Sequence, residues 1–437
     1  MRLSLYTHLF TRNDSHYLYN SETRFFSLIS EDLYRQLYDN RFDEINHDTI
    51  QKLIRQKIII KEEELFNYYN KQKRFFLSNA YNQEILNLVL IPTTGCNFEC
   101  PYCFEGEKHT KTINKETISQ LITFINSHEK ANKLSLTWYD GEPLLALPQM
   151  QEILFQIKKE CTQKIINQRI TTNGYLINEK SIAFLKQNEF SSIQVTIDGT
   201  KEHHNQTRSL KNTHQPTFDI VLNNIKEVAE TLPNCNIKIR ININKKNATD
   251  FVSVYKMIHE IIPCKNINIY PGFIQEETKD GNKLCYNSIS EDYDLYSFYQ
   301  TLNKKGINLG FKLKHANKGC GVNSINSYII GPEGEIYKCW RDVNHSERIV
   351  GYIQEKKLCN ETLFYNYLNE TTPFENPKCK NCLSFPICTG GCAWFHYKNK
   401  FENKQFNICD MTKNKTILEN ILLNMAEKKL HTTNKQD

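Results

Sequence analysis

The sequence from Pro92 to Cys103 reads Pro-Thr-Thr-Gly-Cys-Asn-Phe-Glu-Cys-Pro-Tyr-Cys, and it follows an apolar stretch, Leu86–Ile91, that is predicted to be a strand. Its three cysteines, Cys96, Cys100 and Cys103, fall within eight residues. Zinc is usually held by four ligands, whereas three thiolates suit an iron–sulfur cube that keeps one iron open. The spacing therefore predicts an iron–sulfur site. A zinc site and a chance grouping of cysteines are the alternatives.

Cysteine usage and charge narrow the class of protein. The chain has 437 residues and 15 cysteines, and its N-terminus lacks the apolar core of a signal peptide. Disulfide frameworks belong chiefly to small secreted domains, so these thiols predict metal or redox ligands in a cytoplasmic protein. No apolar run reaches the ~18 residues that cross a bilayer. The net charge of +6, from 55 Lys and Arg against 49 Asp and Glu, is too diffuse to predict nucleic-acid binding.

Apolar strands alternate with amphipathic helices from residue 86 to about residue 310. Such alternation predicts βα units around a parallel sheet. The predicted strands are Leu86–Ile91, Leu134–Trp138, Ile165–Thr171, Ile193–Ile197, Ile237–Ile243 and Ile267–Tyr270. Six units favour an α/β fold with a partial (β/α)6 barrel over the full eight-stranded barrel.

The segments on either side of this barrel have different patterns. Residues 1–80 predict a small winged-helix-like domain: a hairpin of Leu3–Tyr6 and Tyr17–Tyr19 turning at Asn13-Asp14, a helix over Leu28–Leu37, a second helix and a strand. Residues 315–412 are irregular and rich in cysteine, so we expect metals to stabilise them. Residues 413–437 predict a C-terminal helix and a polar tail.

The cysteine loop resembles the signature of the radical S-adenosylmethionine (SAM) superfamily. The resemblance rests on Cys96-x3-Cys100-x2-Cys103 with Tyr102 before the third cysteine. It implies a 4Fe–4S cluster whose open iron chelates the amino and carboxylate groups of SAM. It further implies reductive cleavage of SAM to a 5′-deoxyadenosyl radical, which takes a hydrogen atom from the substrate, with a flavodoxin or ferredoxin as electron donor.

Further matches lie at the ends of successive strands. Asp140-Gly141-Glu142-Pro143 resembles the family's Gly-Gly-Glu-Pro turn, whose backbone and Glu receive the methionine ammonium, with Asp140 in place of the usual first Gly. Arg208 matches an arginine that pairs with the methionine carboxylate, a pairing that guanidinium geometry favours. The resemblance thus implies SAM contacts from Tyr102, Gly141, Glu142, Asn173, Thr196 and Arg208.

A second group of seven cysteines lies in the C-terminal region. Its members are Cys320, Cys339, Cys379, Cys382, Cys388, Cys392 and Cys409. Seven thiols are too many for one tetrahedral site and one short of two four-thiolate clusters. The alternative is a zinc ribbon made of the four cysteines from Cys379 to Cys392, because paired Cys-x2-Cys is a common zinc signature.

The same array resembles the SPASM extension of peptide-modifying radical SAM enzymes. The resemblance implies two auxiliary 4Fe–4S clusters, and so three clusters in the chain. Cys320, Cys339 and Cys392 would hold the nearer one, and its fourth position would stay open, bind a substrate thiolate, or use Cys285 or Cys359. The farther cluster would be held by Cys379, Cys382, Cys388 and Cys409. The remaining Cys161, Cys235 and Cys264 are predicted to be inert thiols.

These resemblances imply a peptide maturase that forms a thioether or carbon–carbon cross-link in a precursor peptide. Residues 1–80 resemble the leader-recognition element of ribosomal-peptide maturases, which binds an extended leader as an added strand. The alternative for this segment is a packing or oligomerisation unit. The alternative activity is anaerobic sulfatase maturation, and a non-catalytic iron–sulfur sensor or scaffold is the alternative of another class.

Overall fold

The computed structural model describes residues 1–103, 110–274, 292–309, 313–316 and 319–433. The chain divides into two compact units. The barrel unit contains Tyr81–Ser288 and Ser324–Leu368; the second unit contains Met1–Ala80, Ile289–Asn323 and Asn369–Asp437. Within the described residues, no helix combines the length and the apolar character needed to span a bilayer.

The N-terminal segment folds into small sheets followed by helices. Strands β2, β3 and β4 form an antiparallel sheet, and β1 pairs with β5. The elements in order are β1 (Arg2–Leu3), β2 (Thr7–Arg12), β3 (Ser15–Asn20), β4 (Phe25–Ile29), α1 (Glu31–Tyr38), α2 (His47–Arg55), β5 (Ile59–Ile60) and α3 (Asn67–Ala80).

The sequence-based prediction for this segment is partly wrong. The hairpin does turn at Asn13 and Asp14, both with positive φ, but its first strand is β2 and not Leu3–Tyr6. Leu28 lies in β4 and not in a helix, because Ser30 begins α1 by accepting a hydrogen bond from the Leu33 N–H. The helical spacing between Leu28 and the leucines of α1 is therefore a coincidence.

The barrel unit is built around six parallel strands. Its elements are β6 (Ile85–Leu90), α4 (Lys115–Asn126), β7 (Lys133–Trp138), α5 (Leu147–Glu160), β8 (Lys164–Thr172), α6 (Glu179–Gln187), β9 (Ser192–Ile197), α7 (Lys201–Thr207), α8 (Phe218–Thr231), β10 (Asn236–Ile243), α9 (Phe251–Ile261) and β11 (Ile267–Phe273). The strand order is β11-β10-β9-β8-β7-β6. The six predicted strands are confirmed, and the barrel is open because β6 pairs onward with β12 and not with β11.

The rest of the chain contributes to both units. Its elements are α10 (Asp292–Lys304), β12 (Ser327–Ile330), β13 (Glu335–Tyr337), β14 (Gly351–Tyr352), α11 (Glu361–Tyr365), α12 (Pro377–Lys380), α13 (Ala393–Phe401) and α14 (Lys415–Thr433). A π-helical turn, Asn366–Glu370, follows α11. Strands β12 to β14 extend the barrel sheet beyond β6, which the sequence did not predict.

Within the second unit, the N-terminal segment packs against the cysteine-rich segment and α14. One aromatic cluster joins Tyr6, Tyr69 and Phe76 to Phe374 and Phe385. A second cluster packs side chains of β2 and β3 against Leu418 and Leu422 of α14. The cysteine-rich segment therefore has an apolar partner in addition to any metal it binds.

Candidate active site

A cavity of about 550 Å³ lies at the carboxyl ends of the barrel strands, where parallel α/β sheets place their ligands. Cys96, Cys100 and Cys103 all line it. The pKa of the Cys100 thiol is raised to about 11: burial raises it most, Arg208 lowers it, and Asp198 and the Cys103 and Cys96 thiolates raise it. The three sulfurs thus face one space and lie within electrostatic reach of each other, a donor set that fits an iron–sulfur cube. Among the described residues, no three His, Cys, Asp or Glu side chains surround a single-ion site.

The turn after β7 supports the cysteine loop through close backbone contact. The Glu142 N–H donates to the Gly95 carbonyl at 2.8 Å. Gly141 has φ +49°, and a Cβ there would overlap the Gly95 carbonyl oxygen and lie 2.9 Å from the Thr94 carbonyl carbon. Asp140 also has a positive φ, and its carboxylate accepts from the Gly141 N–H at 2.8 Å. The close approach is therefore made at Gly141 despite the side chain at Asp140.

Replacing Gly141 by Ala is expected to destabilise this unit and to impair cluster loading. Backbone strain and overlap with the loop together cost roughly 2–5 kcal/mol. Gly306→Ala is the matched control, because Gly306 has φ +79° with nothing within 4 Å of a new Cβ. Thermal unfolding and iron content of both variants check the prediction. Equal losses in the two variants would show that the contact with Gly95 is unimportant.

Glu142 lies behind the cavity wall. Its carboxylate is fully buried and accepts from Leu144 N (3.0 Å), Thr172 Oγ1 (2.7 Å) and Asn173 N (2.6 Å). Burial raises its pKa, and these hydrogen bonds lower it. The carboxylate thus joins the end of β7 to the end of β8, and Glu142 is not among the described residues that line the cavity. Its contact with the SAM ammonium stays a prediction.

Tyr102 and Arg208 form a polar network at the cavity edge. The Arg208 Nη1 donates to the Tyr102 hydroxyl at 3.0 Å, the hydroxyl donates to Asp198, and Asn242 Nδ2 donates to the hydroxyl at 3.2 Å. Arg208 Nε is buried without a hydrogen-bond partner among the described residues. A buried donor without an acceptor is costly, so the site suits an incoming carboxylate.

The remaining predicted contact residues lie on the same cavity. Asn173 Nδ2 donates to Asn97 Oδ1 at 2.7 Å and lies 3.9 Å from Cys96 Sγ. Thr196 lines the cavity on β9, in register with Arg240 on β10. The structure thus brings Tyr102, Gly141, Asn173, Thr196 and Arg208 together with the three cysteines.

One part of the cavity wall was missed from sequence. Tyr139 stacks on Trp340 with ring centroids 5.1 Å apart, and Trp340 follows Cys339 directly. Arg240, Tyr270 and further residues complete this wall. Two sequence positions could have pointed to these residues. Tyr139 directly follows the strand β7, and Trp340 directly follows Cys339.

The C-terminal cysteines divide between the two units. In the second unit, Lys413 Nζ lies 3.3 Å from Cys409 Sγ, and thiolates at Cys409, Cys382 and Cys379 raise the pKa of Lys413. Three of the four cysteines predicted to hold the farther cluster therefore lie within electrostatic reach of Lys413. Cys388 Sγ accepts from the Gly390 N–H at 3.3 Å.

The cysteines predicted for the nearer cluster do not all belong to one unit. Cys320 and Cys392 are exposed residues of the second unit, and Cys339 is a buried residue of the barrel unit. Of its suggested extra ligands, Cys359 is exposed in the barrel unit, and Cys285 lies outside the described residues. The ligand set of this cluster stays a prediction.

Comparison with known proteins identifies the class of the barrel. The family model of the Radical SAM superfamily matches residues 90–258. These residues therefore form a radical SAM domain, as the cysteine loop predicted, and the predicted α/β partial barrel is confirmed. Proteins of this superfamily use SAM and a 4Fe–4S cluster.

Individual relatives extend the similarity beyond the domain. A cysteine-type anaerobic sulfatase-maturating enzyme of Clostridium novyi is 27% identical over 336 residues, which cover 70% of this chain and 87% of that protein. The radical SAM cyclopropyl synthase TigE of Paramaledivibacter caminithermalis is 23% identical over 445 residues, which cover 91% of this chain and 86% of that protein. The chain is thus homologous to both proteins.

Two groups of solved structures share the fold. The enzyme anSMEcpe with bound AdoMet and Cp18Cys peptide superposes with a TM-score of 0.57 at 22% identity, over 79% of this chain and 99% of that one. SuiB of Streptococcus suis bound to precursor peptide SuiA superposes with a TM-score of 0.51 at 15% identity, over 94% of this chain and 99% of that chain. The cysteine-rich C-terminal region is consistent with a SPASM-like extension.

Proposed function

We propose that this protein is a radical SAM peptide maturase that cross-links a precursor peptide. The observation that carries the proposal is the shared cavity of Cys96, Cys100 and Cys103 with the unpartnered, buried Nε of Arg208. In this proposal the three thiolates hold a 4Fe–4S cluster, which supplies the electron that cleaves SAM to a 5′-deoxyadenosyl radical. A flavodoxin or ferredoxin delivers that electron in the cytoplasm.

The chain's own residues would position the cosubstrate. Arg208 offers its guanidinium to the methionine carboxylate, and its pairing with Tyr102 and Asp198 fixes the direction of that guanidinium. Thr196 offers a hydroxyl on the neighbouring wall. The buried Glu142 holds the two strand-end loops in register.

The C-terminal cysteines would hold two auxiliary 4Fe–4S clusters. Cys320, Cys339 and Cys392 are proposed for one, and the other would use Cys379, Cys382, Cys388 and Cys409. A cross-link removes two hydrogens from the peptide: one leaves as an atom to the deoxyadenosyl radical, the other as a proton and an electron. Auxiliary clusters supply an acceptor for that electron.

The free edge of β4 is proposed to bind the leader of the precursor. Among the described residues β4 pairs only with β3, so its outer edge can accept another strand. Leu28 on this strand is 63% exposed, which suits contact with an apolar leader side chain.

The wide coverage by TigE and SuiB, 91% and 94% of this chain, supports a peptide maturase over sulfatase maturation.

Substituting Leu28 by Lys is expected to weaken leader binding about tenfold, because it removes apolar contact area worth about 1–2 kcal/mol. Full-length protein is preferable to an N-terminal deletion, since the deletion would expose the apolar partner of the cysteine-rich segment. Ile220→Lys on α8 is the control, because Ile220 is a similarly exposed aliphatic residue, 42% accessible, in the barrel unit. Binding of synthetic peptides encoded beside the gene, measured by fluorescence anisotropy, checks it. Unchanged affinity in Leu28→Lys would remove β4 as the leader site.

Peptide modification itself separates the candidate functions. A maturase removes two hydrogens from a leader-bearing peptide, which mass spectrometry detects after anaerobic reconstitution. Sulfatase maturation is the second candidate because of the 27% identity to the Clostridium novyi enzyme, and it would instead convert cysteine to formylglycine in a sulfatase-type peptide. Reduced protein that released no 5′-deoxyadenosine would favour a non-catalytic scaffold.

A further inference from the structure

The described lining of the cavity carries an excess of positive side chains. Three guanidiniums line it, those of Arg208, Arg240 and Arg341, against one carboxylate, Asp140. Arg208 has a role in the proposed function. Arg240 has none, and no motif of the sequence pointed to it.

Arg240 is mounted so that its guanidinium faces the cavity. On β10 its neighbours Ile239 and Ile241 are fully buried, whereas Arg240 is half-buried and lines the cavity. Its Nε donates to Asn242 Oδ1 at 2.9 Å. The side chain lies over Gly272 of β11, where a Cβ would overlap Nε and lie 2.9 Å from both Cγ and Cζ of Arg240. Gly272 thus leaves the space in which the guanidinium rests.

The part of the chain that the structure describes gives the mounted guanidinium no acidic partner. Among the described residues no carboxylate lies within 4.0 Å of Arg240, and neither Nη atom has a hydrogen-bond partner. A charge held in a half-buried cavity without a counter-ion is unfavourable. A planar guanidinium with both Nη groups unused is suited to bind a carboxylate in a bidentate manner.

Arg240 and Arg208 line the same cavity, and Asn242 links them: it accepts from Arg240 Nε and donates to the Tyr102 hydroxyl, to which Arg208 Nη1 also donates. Burial raises the pKa of Cys100 in the cysteine loop, and the positive charge of Arg208 partly offsets that rise. Burial raises the pKa of Tyr139, which follows β7, and of Tyr270 on β11, and the positive charge of Arg240 partly offsets both rises. Because the proposed function pairs the SAM carboxylate with Arg208, Arg240 is left to bind a second carboxylate, and the described residues supply none.

We propose that Arg240 binds a carboxylate of the peptide substrate, an Asp or Glu side chain next to the residue that the radical attacks. This inference rests on the proposed function and names its substrate class: peptides with an acidic residue at the modified segment. Arg240 is then a substrate-binding residue that determines specificity, and Gly272 is the residue that gives it room.

Binding of two capped pentapeptides tests the proposal without turnover. The probes are acetyl-Gly-Gly-Asp-Gly-Gly-amide and its Asn counterpart, titrated into full-length, cluster-loaded protein with SAM and followed by ligand-observed NMR. Wild type should bind the Asp peptide about tenfold more tightly than the Asn peptide, the difference typical of a charge-assisted pair. Arg240→Gln should bring the two affinities within about twofold of each other.

Two further variants and a control sharpen the test. Arg240→Lys should keep only part of the preference, because an ammonium cannot make the bidentate contact. Gly272→Ala should reduce the preference as Arg240→Gln does, by displacing the guanidinium. Lys238→Gln removes a positive charge from the same strand at a residue outside the described cavity lining, and it should leave the preference intact.

Three results would overturn the proposal. Wild type could bind both peptides equally or not at all, or Arg240→Gln could keep the Asp preference. Arg240→Gln could instead weaken SAM binding, which would assign the guanidinium to the cosubstrate. Failure of the proposed function is a separate result: the Asp preference would persist while no leader-bearing peptide lost hydrogens.

Discussion

Replacing Cys96, Cys100 and Cys103 together by alanine is expected to abolish release of 5′-deoxyadenosine from SAM. All three residues line the same cavity, and no other described cysteine does. Without these thiolates the barrel loses the whole donor set for the cluster, so the fall should exceed about a thousandfold, to the assay background. The measurement is deoxyadenosine formed per chain after anaerobic reconstitution and reduction with dithionite.

The matched control replaces Cys161, Cys235 and Cys264 by alanine. These thiols border barrel elements, and none lines the cavity; Cys235 is buried. Their loss should leave deoxyadenosine release within about twofold of wild type, since small buried thiols contribute mainly packing. If the two triple variants behaved alike, the assignment of the cavity cysteines would fail.

Replacing Cys379, Cys382, Cys388 and Cys409 by alanine is expected to remove about four irons from a total of about twelve. Cys379 and Cys382 pack against the aromatic cluster that joins the N-terminal and cysteine-rich segments. The variant should therefore also unfold at lower temperature, while the radical SAM barrel still releases deoxyadenosine. Peptide cross-linking should be lost, because the electron that it releases has one acceptor fewer.

Metal analysis of wild type and this variant decides between iron and zinc. Wild type with iron near four and about one zinc per chain would support the zinc ribbon for the C-terminal cysteines. Cross-linking at the wild-type rate in the four-cysteine variant would show that the farther cluster is not needed for turnover.

The barrel was predictable from sequence because its strands are short apolar runs separated by amphipathic helices. Ile118, Leu121, Ile122 and Ile125 recur at helical spacing and are all buried in α4. The cysteine loop was predictable because its donors are adjacent in sequence. Periodicity failed at Leu28, where a leucine of β4 continued the helical spacing of α1 across the Ser30 cap.

The detailed site could not be predicted because its geometry depends on contacts between strands. Glu142 is held by Leu144 N just after it and by two donors at the end of β8, Thr172 Oγ1 and Asn173 N, about 30 residues further along the chain. The Arg240 side chain keeps its position because Gly272, on the next strand, has no Cβ to occupy that space. One sequence shows the residue types at these positions, but not which of them meet.

The packing of the N-terminal segment was hidden for a similar reason. Its aromatic residues, such as Tyr69 and Phe76, contact Phe374 and Phe385 some 300 residues later in the chain. The two segments differ in composition, and this difference predicted two separate domains. Their shared core places the proposed leader-binding strand and the proposed farther cluster in the same compact unit.

The central claim is that the three-thiolate cluster keeps one iron open for SAM. Electron–nuclear double resonance of the reduced protein, with SAM carrying ¹⁵N in its amino group, tests this claim directly. We predict a ¹⁵N coupling to the cluster that disappears when Cys96, Cys100 and Cys103 are replaced by alanine. A reduced cluster held by these cysteines that shows no coupling to the labelled nitrogen would contradict the account.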